Sequence, residues 1–280
     1  MRVTLFGATG LLGQDLVQVL RGEQLAALSS QDADLRDRVR VNRIVSDSQP
    51  DWIILSSAYT DVDGCESNHE HALAVNCEGA VHVAQAARQV KARLLFLSTD
   101  YVFDGTKVAP YETDDPRSPI NVYGQTKARA EVRLLDLLPE VCIVRTSWLF
   151  GRGGKCFPAT ILKLGSTRPE IFVVNDQRGS PTFTFDLASV LVELCRNQAS
   201  GIVHATNGGD CTWYEFAQEI VRQAGLPAGV RPVTTAEFPR AARRPAYSVL
   251  SPKSLHSYGI QMPDWKDALR RYLADVPGLP

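Results

Sequence analysis

Five short apolar runs punctuate the first 150 residues: VTLF, QLAAL, WIIL, RLLFL and VCIVR. They are too short for helices and do not alternate with polar residues, which predicts strands buried on both faces. Between them, apolar positions recur at helical spacing near residues 11–21, 36–47, 71–90 and 121–138. Strands alternating with helices imply an α/β fold built on a doubly wound parallel sheet, because parallel neighbours need a crossover and the crossover is a helix. After about residue 150 the rhythm loosens. Short strand candidates (IFVV, IVHA, RPVTT) mix with helical patterns near 185–197, 212–224 and 264–274 and with Pro/Arg clusters such as FPRAARRP. No repeat and no low-complexity tract interrupts the chain. The expected organisation is a nucleotide-binding domain over 1–150 and a smaller α/β lobe over 151–280, with chain returns to the first domain left open.

Composition narrows the class. With 280 residues the chain can bury a sizeable core, and 30 Lys plus Arg against 31 Asp plus Glu leave no basic excess for nucleic acid or an anionic membrane. No apolar stretch reaches the length of a membrane span. The opening MRVTLFGATG breaks its apolar run with glycine too early for a signal-peptide core, which predicts a cytoplasmic protein. The six cysteines are scattered without C-x-x-C pairs or companion histidines, so they read as reduced packing residues rather than a disulfide framework or metal site.

The first strand candidate runs straight into GATGLLG, which sets Gly7, Gly10 and Gly13 between a strand and a helix. A tight turn, a backbone that approaches pyrophosphate and a helix lying close to its strand each favour glycine there, so this is a Rossmann-type dinucleotide turn. The free N–H groups of the following helix offer partial positive charge to phosphate. An acid ending the second strand would select the ribose 2′-hydroxyl of NADH. Here the strand ends AALSS, and Asp32 and Asp34 come late, so NADPH and NADH both stay open.

The fourth strand candidate ends in STDYVFDG, which places Ser98, Thr99 and Asp100 at the edge where open α/β sheets bind ligands. The segment NVYGQTK then sets Tyr123 and Lys127 four residues apart on one helix face. A tyrosine whose pKa of about 10 is lowered toward 7 by an ammonium and a cationic nicotinamide is a general acid for carbonyl reduction. Thr99 would hold the same carbonyl oxygen. Arg240, Arg243 and Arg244 read equally as partners of a substrate diphosphate and as a solvated run.

Beyond these residues the chain resembles the extended short-chain dehydrogenase/reductase family, and within it the dTDP-4-dehydrorhamnose reductases. The likeness covers nearly the full length and is carried by GATGLLGQDL, PDWIILSSAYTDVDGCE, STDYVFDG, P-x-NVYGQTK, VRTSWLFG, NDQRGSPT, FPRAARRPAYSVL and PDWKDALRRYL. It implies that Thr99, Tyr123 and Lys127 are the catalytic set. It places Gly10, Leu11, Leu12, Asp34, Leu35, Ala58, Tyr59, Thr60 and Leu97 at the cofactor with Tyr123 and Lys127, and Val62, Asp100 and Trp148 at the nucleotide sugar. The implied activity is NAD(P)H-dependent reduction of a nucleotide-linked 4-keto sugar. Sugar-nucleotide dehydratases carry Thr-Asp-Glu where this chain has Thr99, Asp100 and Tyr101, so the acid for water elimination is missing. Some reductases of the family are dimers with magnesium between acidic side chains, one of which follows the glycine turn; Asp15 stands there. Monomer or homodimer is left open with it.

Overall fold

The structure, a computed structural model, describes residues 1–276. The chain opens with β1 (Arg2–Phe6), α1 (Leu11–Val19), β2 (Gln24–Leu28), α2 (Arg38–Ser48) and β3 (Trp52–Leu55). Two short helices, α3 (Val62–Ser67) and α4 (His69–Leu73), lead into α5 (Gly79–Val90), β4 (Arg93–Thr99), α6 (Val122–Leu137) and β5 (Cys142–Thr146). A second group follows: β6 (Leu149–Phe150), α7 (Phe157–Gly165), β7 (Glu170–Val174), β8 (Arg178–Gly179) and β9 (Thr182–Phe183). Then come α8 (Thr184–Arg196), β10 (Gly201–His204), β11 (Cys211–Thr212), α9 (Trp213–Gln223), β12 (Gly229–Val233), α10 (Lys253–His256) and α11 (Trp265–Ala274).

Six parallel strands form the main sheet in the order β10-β5-β4-β3-β1-β2. The unbroken apolar runs are the reason: every residue of β3 and β5 is buried, so both faces need helical cover. On one face Leu12, Leu16 and Leu20 from α1 and its end meet Leu187, Leu191 and Leu194 of α8. On the other, Val41 and Val45 of α2 meet Ala80, Val83, Ala84 and Ala87 of α5 and Ala130 and Leu134 of α6. A separate core of Phe150, Ile161, Phe183, Phe216, Ile220, Trp265 and Leu269 holds the smaller lobe.

The 151–280 segment does not stay in that lobe. The run IVHA becomes β10, which pairs with β5, and α8 packs on the α1 face. Leu255, Ile260 and Met262 rejoin the same core later. The physical reason is the open edge of β5: its backbone groups need a partner strand, and an apolar run supplies one.

One buried carboxylate joins three of these elements. Arg145 on β5 and Glu131 on α6 are both fully buried. The guanidinium forks onto the carboxylate, with Nε 3.0 Å from Oε1 and Nη2 2.7 Å from Oε2. Ser98 at the end of β4 donates to Oε1 at 2.6 Å, and Arg117 donates to Oε2 at 2.5 Å. Burial pushes the Glu131 carboxyl up, but the hydrogen bonds and charge of Arg145, with Ser98 and Arg117, outweigh it and hold the group below its ordinary range. Removing one partner leaves a buried charge uncompensated. Arg145→Met is therefore expected to lose about 3–5 kcal/mol of stability in urea unfolding at neutral pH, with part of the loss recovered when Glu131→Gln is added. A loss below about 1 kcal/mol would mean that the pair is solvated.

Candidate active site

The strand β1 ends in a turn that only glycine satisfies at two points. Gly7 takes φ +98°, and a Cβ on Gly13 would lie 1.9 Å from the Gly7 carbonyl oxygen, so α1 starts hard against the strand end. The turn hangs on β2, because Gly7 N and Ala8 N both donate to Leu28 O at 2.9 Å. Helix α1 has Gly10 at its N-cap and no side-chain cap. Its first N–H groups are thus left for a ligand, and Gly7, Gly10, Leu11, Leu12 and Gly13 all line one cleft of about 640 Å³. A dinucleotide pyrophosphate fits this cradle.

The same cleft contains the residues at the end of β4 and the start of α6. Leu97, Ser98, Thr99, Asp100, Tyr123 and Lys127 line it together. Helix α6 begins where Asn121 caps it, its side chain accepting from Gly124 N at 2.8 Å. Tyr123 and Lys127 then sit one turn apart on the face toward β4. The Lys127 ammonium donates to Leu97 O at 2.6 Å and lies 3.9 Å from the centre of the Phe96 ring. Lys127 is only 2% exposed, and burial pushes its pKa down to about 7, with Glu131 opposing. The Thr99 hydroxyl donates to Asp100 Oδ1 at 3.0 Å and accepts from Tyr101 N at 3.2 Å.

The sequence led us to expect a depressed tyrosine. The chain alone does the opposite: burial first, and then the negative charge of Asp100, push the Tyr123 phenol up, against the Thr99 hydrogen bond. The hydroxyl therefore keeps its proton in this state, which suits an acid. Burial likewise pushes the Asp100 carboxyl up to about 7, against hydrogen bonds from Ser248 and Thr99. Asp100 Oδ2 is buried and has no partner within the described residues.

The loop after β3 brings in Ser56, Ser57, Ala58, Thr60 and Val62. A π-helical stretch, Ala74–Glu78, holds that loop in place. It presents buried Asn76, whose Oδ1 accepts from Tyr59 N at 2.7 Å while Nδ2 donates to Tyr59 O and to Thr126 Oγ1, each at 3.1 Å. The loop and α6 are tied by one amide. On the opposite wall Trp148, at φ +49°, stacks on Trp213 with ring centres 3.6 Å apart and planes 7° apart, and both rings line the cleft.

With this geometry in view, comparison places the chain. Residues 1–277 match the family model described as the RmlD substrate binding domain. The chain belongs to the RmlD substrate binding domain family. It is 42% identical to a dTDP-4-dehydrorhamnose reductase of Streptomyces griseus, covering 94% of this chain and 90% of that protein. It is equally 42% identical to a dTDP-4-keto-6-deoxy-D-glucose reductase of Streptomyces niveus, covering 94% and 93%. A crystal structure of the dTDP-4-dehydrorhamnose reductase of Bacillus anthracis in complex with NADP superposes with a TM-score of 0.96 at 38% identity, covering 98% of this chain and 99% of that one.

Within this RmlD-family fold, several expected site residues do not line the cleft. Asp34 is chelated by Arg36, Oδ2 to Nη2 at 2.6 Å, which holds its carboxyl at about 2. Leu35 is packed in the core and its carbonyl meets His82 Nδ1 at 2.9 Å. Tyr59 packs edge-on against His71 at 4.9 Å. Ser30 is what lines the cleft after β2. The arginine cluster does not line it either. Arg244 pairs with Asp63, Nη1 to Oδ1 at 2.6 Å and Nη2 to Oδ2 at 3.0 Å. The Arg243 carbonyl takes the Asn121 amide at 2.8 Å, and Arg240 lies over Phe238.

Asp15 is not a surface carboxylate: it is 5% exposed, beside Thr184, and burial raises its pKa. No group of three or more His, Cys, Asp or Glu side chains gathers to hold a metal among the described residues. All six cysteines are buried and free, and no helix among the described residues is long and apolar enough to cross a membrane. Tyr101, Asn76, Glu131, Lys155 and Trp213 join or support the site without having been expected. Glu131 alone left a local signal, as it follows Lys127 by four residues.

Because Lys127 releases its proton far more readily folded than unfolded, the unfolded chain binds more protons between about pH 7 and about pH 10. Stability carried by this residue therefore rises with pH across that window. Chemical denaturation of wild type and Lys127→Met should show the wild type gaining on the variant by on the order of 4 kcal/mol from the low to the high end. Parallel curves would contradict a buried, proton-shedding lysine.

Proposed function

We propose that this protein reduces the 4-keto group of dTDP-4-dehydro-L-rhamnose to the alcohol of dTDP-L-rhamnose, using NADPH or NADH. The observation that carries the reading is the meeting of Thr99, Tyr123 and Lys127 beneath the glycine turn in one cleft. A bound reduced nicotinamide supplies the hydride that forms the new C–H bond at sugar C4. Tyr123 gives its proton to the carbonyl oxygen as the C=O π bond breaks, so that ketone, hydride and proton together make the alcohol. The Thr99 hydroxyl, turning from Asp100 Oδ1, donates to the same oxygen and stabilises charge as it develops. Lys127, fixed by the Leu97 carbonyl, restores positive charge beside the phenolate that the reaction leaves. Asp100 Oδ2, buried and unpartnered, accepts a hydrogen bond from a sugar hydroxyl. Ser30 lines the cleft after β2, and the nearby Asp32 carboxylate is taken up by the Ser29 amide and hydroxyl.

The relative named for dTDP-4-keto-6-deoxy-D-glucose supports a second reading in which the chemistry holds and the hexose changes. A silent regulatory subunit of the same fold is disfavoured by the intact catalytic set. Steady-state oxidation of NADPH and NADH with each 4-keto sugar separates these. Tyr123→Phe is expected to lower kcat about a thousandfold while leaving the cofactor Kd nearly unchanged in a fluorescence titration. A variant that keeps its rate would remove Tyr123 from the role of acid, and cofactor binding without oxidation in wild type would favour the regulatory subunit.

A further inference from the structure

On the reading above, the cleft must meet phosphate twice, in the dinucleotide and in the sugar nucleotide, yet it holds little positive charge. Lys127 and Lys155 are the cations among its lining side chains. Lys127 is buried and committed to the Leu97 carbonyl. None of the arginines that the sequence suggested lines the cleft, and Arg244 is paired with Asp63. Lys155 is exposed, and no hydrogen bond or ion pair engages its ammonium among the described residues.

Its position follows from the segment before it. Residues 151–154, GRGG, connect β6 to α7 and lie across the start of α1. Gln14 Nε2 donates to Gly153 O and to Thr9 O, each at 3.2 Å, which ties the connection to the glycine turn. Gly154 lies so close to Leu11 that a Cβ would be 3.0 Å from Leu11 Cδ1. Arg152 is spent on Asp275 at 2.8 Å. Lys155 therefore enters the cleft near the same helix end whose N–H groups lack acceptors.

We infer that Lys155 is a phosphate-binding residue, its ammonium pairing with the diphosphate of one of the two nucleotides that enter this cleft. The pairing rests on the proposal that both nucleotides bind here. A charge-assisted contact of this kind is strong where the second partner is the uncapped end of a helix.

Titration calorimetry on the intact chain tests this without turnover, using NADPH alone and thymidine 5′-diphosphate in the presence of saturating NADP⁺. Lys155→Ala should weaken one of these about tenfold, and Lys155→Arg should restore most of the loss. Weaker NADPH binding assigns Lys155 to the cofactor pyrophosphate. Weaker thymidine diphosphate binding assigns it to the substrate. Both Kd values within about twofold of wild type would overturn the inference. Wild type that binds both nucleotides but reduces no 4-keto sugar would contradict the catalytic reading and leave this comparison standing.

Discussion

The Glu131 carboxylate is the point on which the site depends. It is fully buried, it is gripped by Arg145 from β5 and Ser98 from β4, and it stands one helical turn beyond Lys127 on α6. A charge this deep survives only with its partners in place. The register of α6 against the ends of β4 and β5 is consequently fixed, and with it the separation of Tyr123 and Lys127 from Thr99. The same negative charge opposes the burial that strips Lys127 of its proton. Fold and catalytic electrostatics thus share one group.

The electrostatics favour an acid at rest. Burial and Asp100 keep the proton on Tyr123, while Lys127 sits at about 7, poised between charged and neutral. A phenol that is too weak an acid before reaction becomes a better one when positive charge arrives beside it. On the proposed reaction the chain supplies the pocket and the proton, beside a lysine already oriented by the Leu97 carbonyl.

Much of this was legible in the sequence because it is local. Gly7, Gly10 and Gly13 follow a strand directly, and Tyr123 and Lys127 share a helix face by spacing alone. The unbroken apolar runs required a sheet covered on both sides. What escaped is tertiary. Trp213 reaches Trp148 only once α9 packs on the smaller core, Asn76 reaches the β3 loop only through a π-helical stretch, and Arg244 is claimed by Asp63 from a helix far away in the chain. The direction of the Tyr123 shift also escaped, since burial is a property of the assembled cleft. The excursion of 184–204 back to the main sheet left no compositional mark, because apolar strands look alike in either lobe.

On the proposed reaction, hydride reaches sugar C4 in this cleft. Its most direct test is turnover of dTDP-4-dehydro-L-rhamnose with NADPH carrying deuterium at both nicotinamide C4 positions, followed by NMR of the sugar product. One deuteron at sugar C4 is expected for each cofactor oxidised. Oxidised cofactor with only hydrogen at that carbon would contradict it.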